Sequence, residues 1–112
     1  MTTLPSADGW PASRPRPDAS DRPTRMLVVR HGETSWNADN RIQGQTDIPL
    51  STRGEAQARR LALRLAHEPI TTAYASDLQR AWRTAELAVL GRDIPVVRDP
   101  IWRELRFGDW EG

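Results

Sequence analysis

Short apolar runs alternate with stretches of helical periodicity between residues 26 and 97, and this order most restricts the possible folds. The apolar runs lie at residues 26–29, 72–75 and 96–97. Apolar side chains recur every three or four residues in two intervening stretches, at residues 58–65, in a helix expected to end before Pro69, and at residues 78–89. A strand–helix–strand–helix–strand order favours right-handed crossovers, so we predict an α/β fold with a parallel sheet. The first apolar run is expected to form a buried strand of that sheet.

Both predicted helices have recognisable start signals. Thr52 is followed three residues later by Glu55, which fits a capping box, so the first helix is expected to begin at Ser51 or Thr52. Ser76 or Asp77 is expected to cap the second helix. The polar, turn-rich stretch before the first helix, residues 34–50, is predicted to be a long loop, and such loops in compact domains are usually functional.

The first 24 residues differ from the rest of the chain. They hold five of the nine prolines, several arginines balanced by aspartates, and no apolar periodicity. A segment of this kind buries too little apolar surface to offset its ordering entropy. We therefore predict a disordered Pro/Arg-rich extension at residues 1–24 and a folded part at residues 25–112.

Composition excludes several classes of function. The 16 basic residues, all arginine, nearly balance 15 acidic ones, which argues against a nucleic-acid partner. The absence of cysteine excludes disulfides, thiolate metal sites and a cysteine nucleophile. No apolar run approaches the roughly 20 residues that span a bilayer, and no secretory signal is recognisable at the N-terminus. No membrane partner is therefore expected, and a cytoplasmic location is the default.

A polar cluster follows each predicted strand, at residues 30–34, 76–80 and 103–112. Ligands of open α/β sheets bind beyond the carboxyl ends of the strands. One site would therefore gather an imidazole, two guanidinium groups and a carboxylate, from His31, Arg30, Arg80 and Glu104. A neutral imidazole is a good nucleophile near pH 7, and arginine forks match phosphate oxygens. With a carboxylic acid to protonate a leaving alkoxide, this set suits phosphoryl transfer.

The same residues carry a resemblance to a known family. Four motifs occur in the family's order, at residues 27–37, 41–58, 76–85 and 103–112. The first contains Arg30-His31-Gly32-Glu33-Thr34, and the last ends with Trp110-Glu111-Gly112. Together they resemble the histidine phosphatase superfamily, the phosphoglycerate-mutase-like family, over residues 26–112. The resemblance implies a three-layer α/β fold, with a mainly parallel sheet and helices on both faces.

The resemblance also implies roles for individual residues. His31 would accept the phosphoryl group as a phosphohistidine, and Glu104 would be the proton donor. The phosphate- and substrate-binding residues would be Arg30, Asn37 and Arg80, with Thr34 and Gln43 as weaker candidates that line the pocket. No metal and no organic cofactor is implied.

This chain departs from the family pattern in its length. Family members continue well beyond this point, and their second pocket histidine lies in that later part. The two histidines here are His31 and His67, and His67 matches nothing catalytic. The family sheet also places a later strand between the first and second strands of this chain. The fold is therefore expected to be an incomplete, N-terminal portion of the domain.

The leading functional hypothesis is a phosphomonoester hydrolase that acts through phosphohistidine on a small phosphorylated metabolite, with a homodimer as an open option. Alternatives are phosphoglycerate mutase-type transfer and a specialised phosphatase, such as one acting on a ribazole phosphate. A hypothesis of another class is a catalytically impaired fragment or non-catalytic binding module, because the second pocket histidine is absent. If the chain ends at Gly112 in the cell, activity is expected to be at least about 10²-fold below that of a complete member.

Overall fold

The computed structural model describes residues 23–112. Its helices and strands are α1 (Ser35–Ala38), α2 (Thr52–Leu65), β1 (Ala73–Ala75), α3 (Gln79–Ala88) and β2 (Val96–Arg98). Two 3₁₀ turns follow, Pro100–Trp102 and Gly108–Trp110. The extension predicted for residues 1–24 lies outside the described residues, apart from residues 23 and 24, which are exposed.

The sheet of the described residues pairs β1 with β2 in parallel, with Ala73 opposite Val96 and Ala75 opposite Arg98. Helix α3 packs on both strands, and α2 packs on α3. The buried apolar side chains lie at these contacts and come mostly from α3 and its flanks: Ala58, Ala75, Leu78, Leu87, Ala88 and Val89. The prediction of an α/β fold with a parallel sheet and amphipathic helices is confirmed.

The predicted first strand is wrong for this structure. Residues 26–29 form no strand, and Val28 is 87% exposed. A strand is stable only when a neighbour satisfies its backbone N–H and C=O groups and covers its side chains. Within residues 23–112, β1 pairs with β2 on one edge, and no strand lies between β1 and residues 26–29. The apolar run therefore lacks the partner that burial as a strand requires.

The loop predicted for residues 34–50 contains more structure than its composition indicated. It includes the short helix α1, and its two ends meet in an antiparallel bridge between Thr34 and Leu50. The side chain of Thr34 accepts a hydrogen bond from the backbone N–H of Asn37, and the side chain of Asn37 accepts one in return from the N–H of Thr34. This reciprocal capping box begins α1 directly after the His31 segment.

The caps of the longer helices differ in part from the prediction. Helix α2 begins at Thr52 as expected, but its cap is Ser51, whose hydroxyl accepts from the N–H of Gly54 at 3.1 Å. Helix α3 is capped by neither Ser76 nor Asp77. Asp47 accepts from the N–H of Gln79 at 2.7 Å instead, from a loop 32 residues earlier in the chain. A cap supplied from so far away has no local sequence signal.

Two glycines allow the His31 segment to lie directly on the first turn of α2. A Cβ on Gly32 would lie 2.5 Å from the carbonyl oxygen of Gly54. A Cβ on Gly54 would collide with the carbonyl oxygen of Glu33. The absence of a side chain at Gly32 thus makes room for the backbone of α2.

Replacing Gly54 with alanine tests this contact. Helix propensity alone predicts that Gly54→Ala stabilises α2 by about 1 kcal/mol. Because the added methyl group meets backbone, we expect the free energy of unfolding to fall by about 1–3 kcal/mol instead. Thermal and urea unfolding monitored by circular dichroism measure the change. Ala56→Ser, at an exposed position of the same helix, is the control and should change little. A Gly54→Ala protein more stable than wild type would contradict the close contact.

Candidate functional site

The chain that follows Arg30 is held between the two long helices. The N–H of Gly32 donates to the hydroxyl of Thr84 on α3 at 2.9 Å. The N–H of Glu33 donates to the side-chain oxygen of Gln57 on α2 at 2.9 Å, and the N–H of Ser51 donates to the carbonyl of Glu33 at 2.8 Å. These bonds fix the backbone that carries His31, although the residues before it form no strand.

The hydrogen bond of the His31 ring selects its tautomer. Nδ1 lies 2.7 Å from the carbonyl oxygen of Gly32. A carbonyl only accepts, so Nδ1 carries the proton and Nε2 keeps its lone pair. Burial lowers the pKa of His31 below its ordinary 6.5, and this outweighs the hydrogen bond to Gly32, which raises it. The half-buried ring is therefore neutral at pH 7, with Nε2 able to attack an electrophile.

Charged groups act on His31 from the three clusters that the sequence predicted to meet. The positive charges of Arg80 and Arg30 lower the pKa of His31, and the negative charge of Glu104 raises it. Arg30 and His31 also line one cavity of about 180 Å³. The charges of Arg30, Arg80 and Glu104 therefore act on the His31 ring, although the residues that precede His31 form no strand of the sheet.

Arg80 is held in place by backbone rather than by an acidic partner. It lies in the first turn of α3 and is 3% exposed. Its guanidinium donates to the carbonyl of Thr46 at 2.8 Å and to the carbonyl of Gly44. Burial lowers the pKa of Arg80, and nearby carboxylates, that of Glu104 foremost, oppose this effect. An arginine stays charged under such conditions, so a buried cation faces the site.

Glu104 is exposed and its position depends on the loop beside it. Its backbone carbonyl accepts from the side-chain amide of Gln45 at 3.2 Å. Its own carboxylate accepts from the N–H of Leu105 at 3.0 Å. The carboxylate is thus open to solvent, and its negative charge acts on the His31 ring.

Thr34, Asn37 and Gln43 form one connected hydrogen-bond network. Thr34 is fully buried, and its hydroxyl donates to the side-chain oxygen of Gln43 at 2.5 Å. Asn37 is bonded to Thr34 through the α1 capping box. The network makes these residues part of the frame beside His31. Their predicted contacts with a phosphoryl group or substrate stay predictions.

Sequence reasoning missed the role of Glu111, which it named only as part of the last motif. The Glu111 carboxylate accepts from the hydroxyl of Thr46, from the N–H of Gln45 at 3.2 Å, and from the N–H groups of Phe107 and Gly108 at 3.1 and 3.2 Å. These bonds, that of Thr46 foremost, lower the pKa of Glu111 to about 2. Two of its partners lie more than 60 residues earlier, so no local pattern could have revealed it.

The other acidic residues near the site have structural partners. Asp47 caps α3 by accepting from the N–H of Gln79. Asp77 forms a two-pronged ion pair with Arg103, both N–O distances being 2.6 Å. This pair lowers the pKa of Asp77 and attaches the chain before Glu104 to the start of α3. Both carboxylates are thus engaged in hydrogen bonds that hold the start of α3.

The larger cavity, of about 420 Å³, lies elsewhere and contains none of the predicted site residues. Its side chains include Trp82 with Arg98 stacked over its ring at 3.9 Å, and ion pairs that join Glu86 to Arg83 and Arg98. Its charged groups are thus already paired. Among residues 23–112, no cluster of three or more His, Asp or Glu side chains is placed to hold a metal ion. No helix in that part of the chain is long and apolar enough to cross a membrane.

Known proteins match the chain in both sequence and structure. It is 48% identical over 84 residues to the probable phosphoglycerate mutase GpmB of Serratia proteamaculans, a match covering 75% of this chain and 39% of that protein. Bacillus stearothermophilus YhfR superposes with a TM-score of 0.72 at 45% identity, covering 75% of this chain and 42% of that one. A phosphoserine phosphatase of Entamoeba histolytica, solved with 3-phosphoglyceric acid, superposes with a TM-score of 0.67 at 38% identity, covering 75% and 41%.

These matches confirm the predicted fold class, a phosphoglycerate-mutase-like α/β fold of which the chain holds a portion. The chain spans about two fifths of the length of the curated relatives it matches. The family model for the histidine phosphatase superfamily (branch 1) matches residues 26–112, all but three of the described residues. The chain therefore belongs to the histidine phosphatase superfamily.

Proposed function

We propose that this chain carries the nucleophile of a phosphomonoester hydrolase that acts through a phosphohistidine at His31. The observation that carries the proposal is the state of the His31 ring, whose Nδ1–H is held by Gly32 and whose lowered pKa keeps Nε2 unprotonated at pH 7. Two arginines lie close enough to influence its charge. A neutral nucleophile beside fixed cations is the arrangement that attack on a phosphate dianion needs.

The reaction uses the residues in order. Nε2 of His31 attacks phosphorus in line with the leaving oxygen, and the P–O bond to the leaving group breaks as the N–P bond forms. Arg80 and Arg30 offset the charge on the phosphoryl oxygens. Glu104, as a carboxylic acid, gives its proton to the departing alkoxide. Water then attacks the phosphohistidine and releases inorganic phosphate, which restores the free imidazole.

Phosphoryl transfer of the mutase type is the second candidate. The relative from Serratia proteamaculans is named a probable phosphoglycerate mutase, and the Entamoeba histolytica phosphatase was solved with 3-phosphoglyceric acid. Both names support a small phosphorylated metabolite as substrate of the whole protein. In the mutase, a substrate hydroxyl replaces water as the acceptor, and the phosphohistidine is shared by the two reactions. A homodimer, a cytoplasmic location and the absence of a nucleic-acid partner stay predictions.

Trapping the phosphoenzyme tests the proposal. The protein is mixed with p-nitrophenyl phosphate, quenched in alkali because phosphohistidine is acid-labile, digested, and analysed by mass spectrometry. We expect phosphate on the peptide that contains His31 and none on the peptide that contains His67, whose exposed side chain serves as an internal control. Turnover with phosphate on another residue would contradict the mechanism. No turnover and no labelling would favour a non-catalytic binding module.

The pH dependence of trapping follows from the pKa of His31. A protonated imidazole has no lone pair at Nε2, so the rate of phosphoenzyme formation falls where His31 becomes protonated. Because burial lowers the pKa of His31 below 6.5, the rate should hold as the pH falls through 6.5 and decline only at lower pH. A decline centred above pH 6.5 would contradict the role assigned to burial.

A further inference from the structure

We propose that Glu111 is a positioning residue, which holds the turn at residues 43–46 so that the backbone carbonyls of that turn fix the guanidinium of Arg80. The proposal rests on the proposed function, because Arg80 matters for catalysis only if this site transfers a phosphoryl group. Glu111 itself does not touch the phosphoryl group in this assignment, and it acts through the turn.

The turn is built around the carboxylate. The N–H of Thr46 donates to the carbonyl of Gln43 at 2.9 Å, and Gly44 has a φ of 55°. This left-handed conformation favours glycine. A Cβ on Gly44 would also collide with the carboxylate of Glu111. The side chain of Glu111 therefore sits against the turn, in space that only glycine leaves open.

One peptide unit connects Glu111 to Arg80. The N–H of Gln45 donates to Glu111 at 3.2 Å, and the carbonyl of Gly44, in the same planar peptide, accepts from Arg80. In a trans peptide, these two groups point in opposite directions. The carboxylate of Glu111 thus fixes the peptide plane from one side. On the other side, the carbonyl of that peptide orients the guanidinium of Arg80.

The hydroxyl and carbonyl of Thr46 provide a second connection. The hydroxyl donates to Glu111, and the carbonyl of the same residue accepts from Arg80 at 2.8 Å. Both guanidinium bonds therefore go to residues of a turn that Glu111 holds. Loss of the carboxylate would free the turn and both acceptors of Arg80 together.

The same carboxylate also reaches the segment that carries the proposed acid. It accepts from the N–H groups of Phe107 and Gly108. The side chain of Gln45 returns to the carbonyl of Glu104. Glu111 thus connects the turn that holds Arg80 with the segment that carries Glu104. Its four donors, with a pKa of about 2, suit a permanently ionised anchor rather than a proton donor.

A double-mutant cycle tests the coupling, with inorganic phosphate as the probe. The dissociation constant is measured by titration calorimetry for wild type, Glu111→Gln, Arg80→Ala and the double variant. Glu111→Gln keeps the size and removes the charge, and we expect it to weaken phosphate binding about tenfold. If Glu111 acts through Arg80, the double variant binds no more weakly than Arg80→Ala alone. The proposal would be overturned if the loss of phosphate affinity in the double variant were the product of the two single losses. It would also be overturned if Glu111→Gln bound phosphate as tightly as wild type.

A second measurement needs no activity and no ligand. Hydrogen exchange of the Arg80 side chain, followed by NMR, should be faster in Glu111→Gln and unchanged in Asp109→Asn, a matched control at an exposed acidic position of the same segment. If Glu111→Gln does not fold, Thr46→Val removes one donor and keeps the shape, and it should speed the exchange to a smaller extent. Unchanged exchange would overturn the proposal. Failure of wild type to bind phosphate would count against the proposed function alone, since the exchange experiment would still decide the role of Glu111.

Discussion

Replacing His31 with alanine should lower kcat/KM for p-nitrophenyl phosphate by at least about 10³-fold, because the variant has no atom to receive the phosphoryl group. The loss should appear in kcat, since the arginines proposed to bind the phosphate remain. Steady-state release of p-nitrophenolate measures both constants. His67→Ala is the matched control, because His67 is exposed just after the end of α2 and has no assigned role in the mechanism; it should retain wild-type kcat/KM.

The ring of His31 is half-buried, so its loss could also affect folding. Thermal unfolding of His31→Ala separates the two effects, because the Nδ1 bond goes to the neighbouring residue Gly32 and holds no distant elements together. We expect a well-folded protein that is inactive. A folded His31→Ala protein with wild-type turnover would remove His31 from the mechanism and with it the proposed function.

Replacing Arg80 with lysine should lower kcat/KM by about 10²-fold, although the positive charge is kept. A guanidinium presents five N–H groups in a planar fork, and here two of its nitrogens donate to the carbonyls of Thr46 and Gly44. An ammonium group has no such fork, so it would not satisfy both carbonyls and a phosphate oxygen at once. The two carbonyls would also be left partly unpaired in a buried place.

The comparison for this variant is Arg59→Lys, on the exposed face of α2, where the arginine side chain is 58% exposed and pairs with Glu55. An exposed pair of this kind contributes little, so activity and stability should stay near those of wild type. The inhibition constant of inorganic phosphate, measured beside kcat/KM, reports phosphate binding directly. Equal inhibition constants in wild type and Arg80→Lys would contradict the binding role of Arg80.

Much of the local structure was predictable because it depends on neighbouring residues. The helices over residues 52–65 and 79–88 follow from apolar spacing, and the parallel pairing of β1 and β2 follows from their connection through α3. The sequence also predicted that His31, Arg80 and Glu104 would meet, from the rule that ligand sites lie beyond the ends of parallel strands. In the structure this rule applies to the residues that follow β1 and β2, but not to His31, because residues 26–29 form no strand.

Other features required the tertiary structure. Residues 26–29 have the composition of a buried strand, yet a strand exists only where a neighbour pairs with it, and the described residues provide none. The cap of α3 is Asp47 and not Ser76 or Asp77, because a loop brings a better-placed carboxylate to the helix start. Such contacts depend on which distant groups the tertiary fold brings close to a given position.

By itself, the sequence determined the two long helices, the strands on either side of the second one, the family, and the residue types of the candidate site, because periodicity and motif spacing are properties of neighbours along the chain. Only the tertiary structure decided how each group is held: the proton of His31 on Nδ1, the guanidinium of Arg80 on two carbonyls, and the four donors around Glu111. Hydrogen bonds such as that between Gln45 and Glu111, which lie 66 residues apart, are set by packing in three dimensions, and no local pattern encodes them.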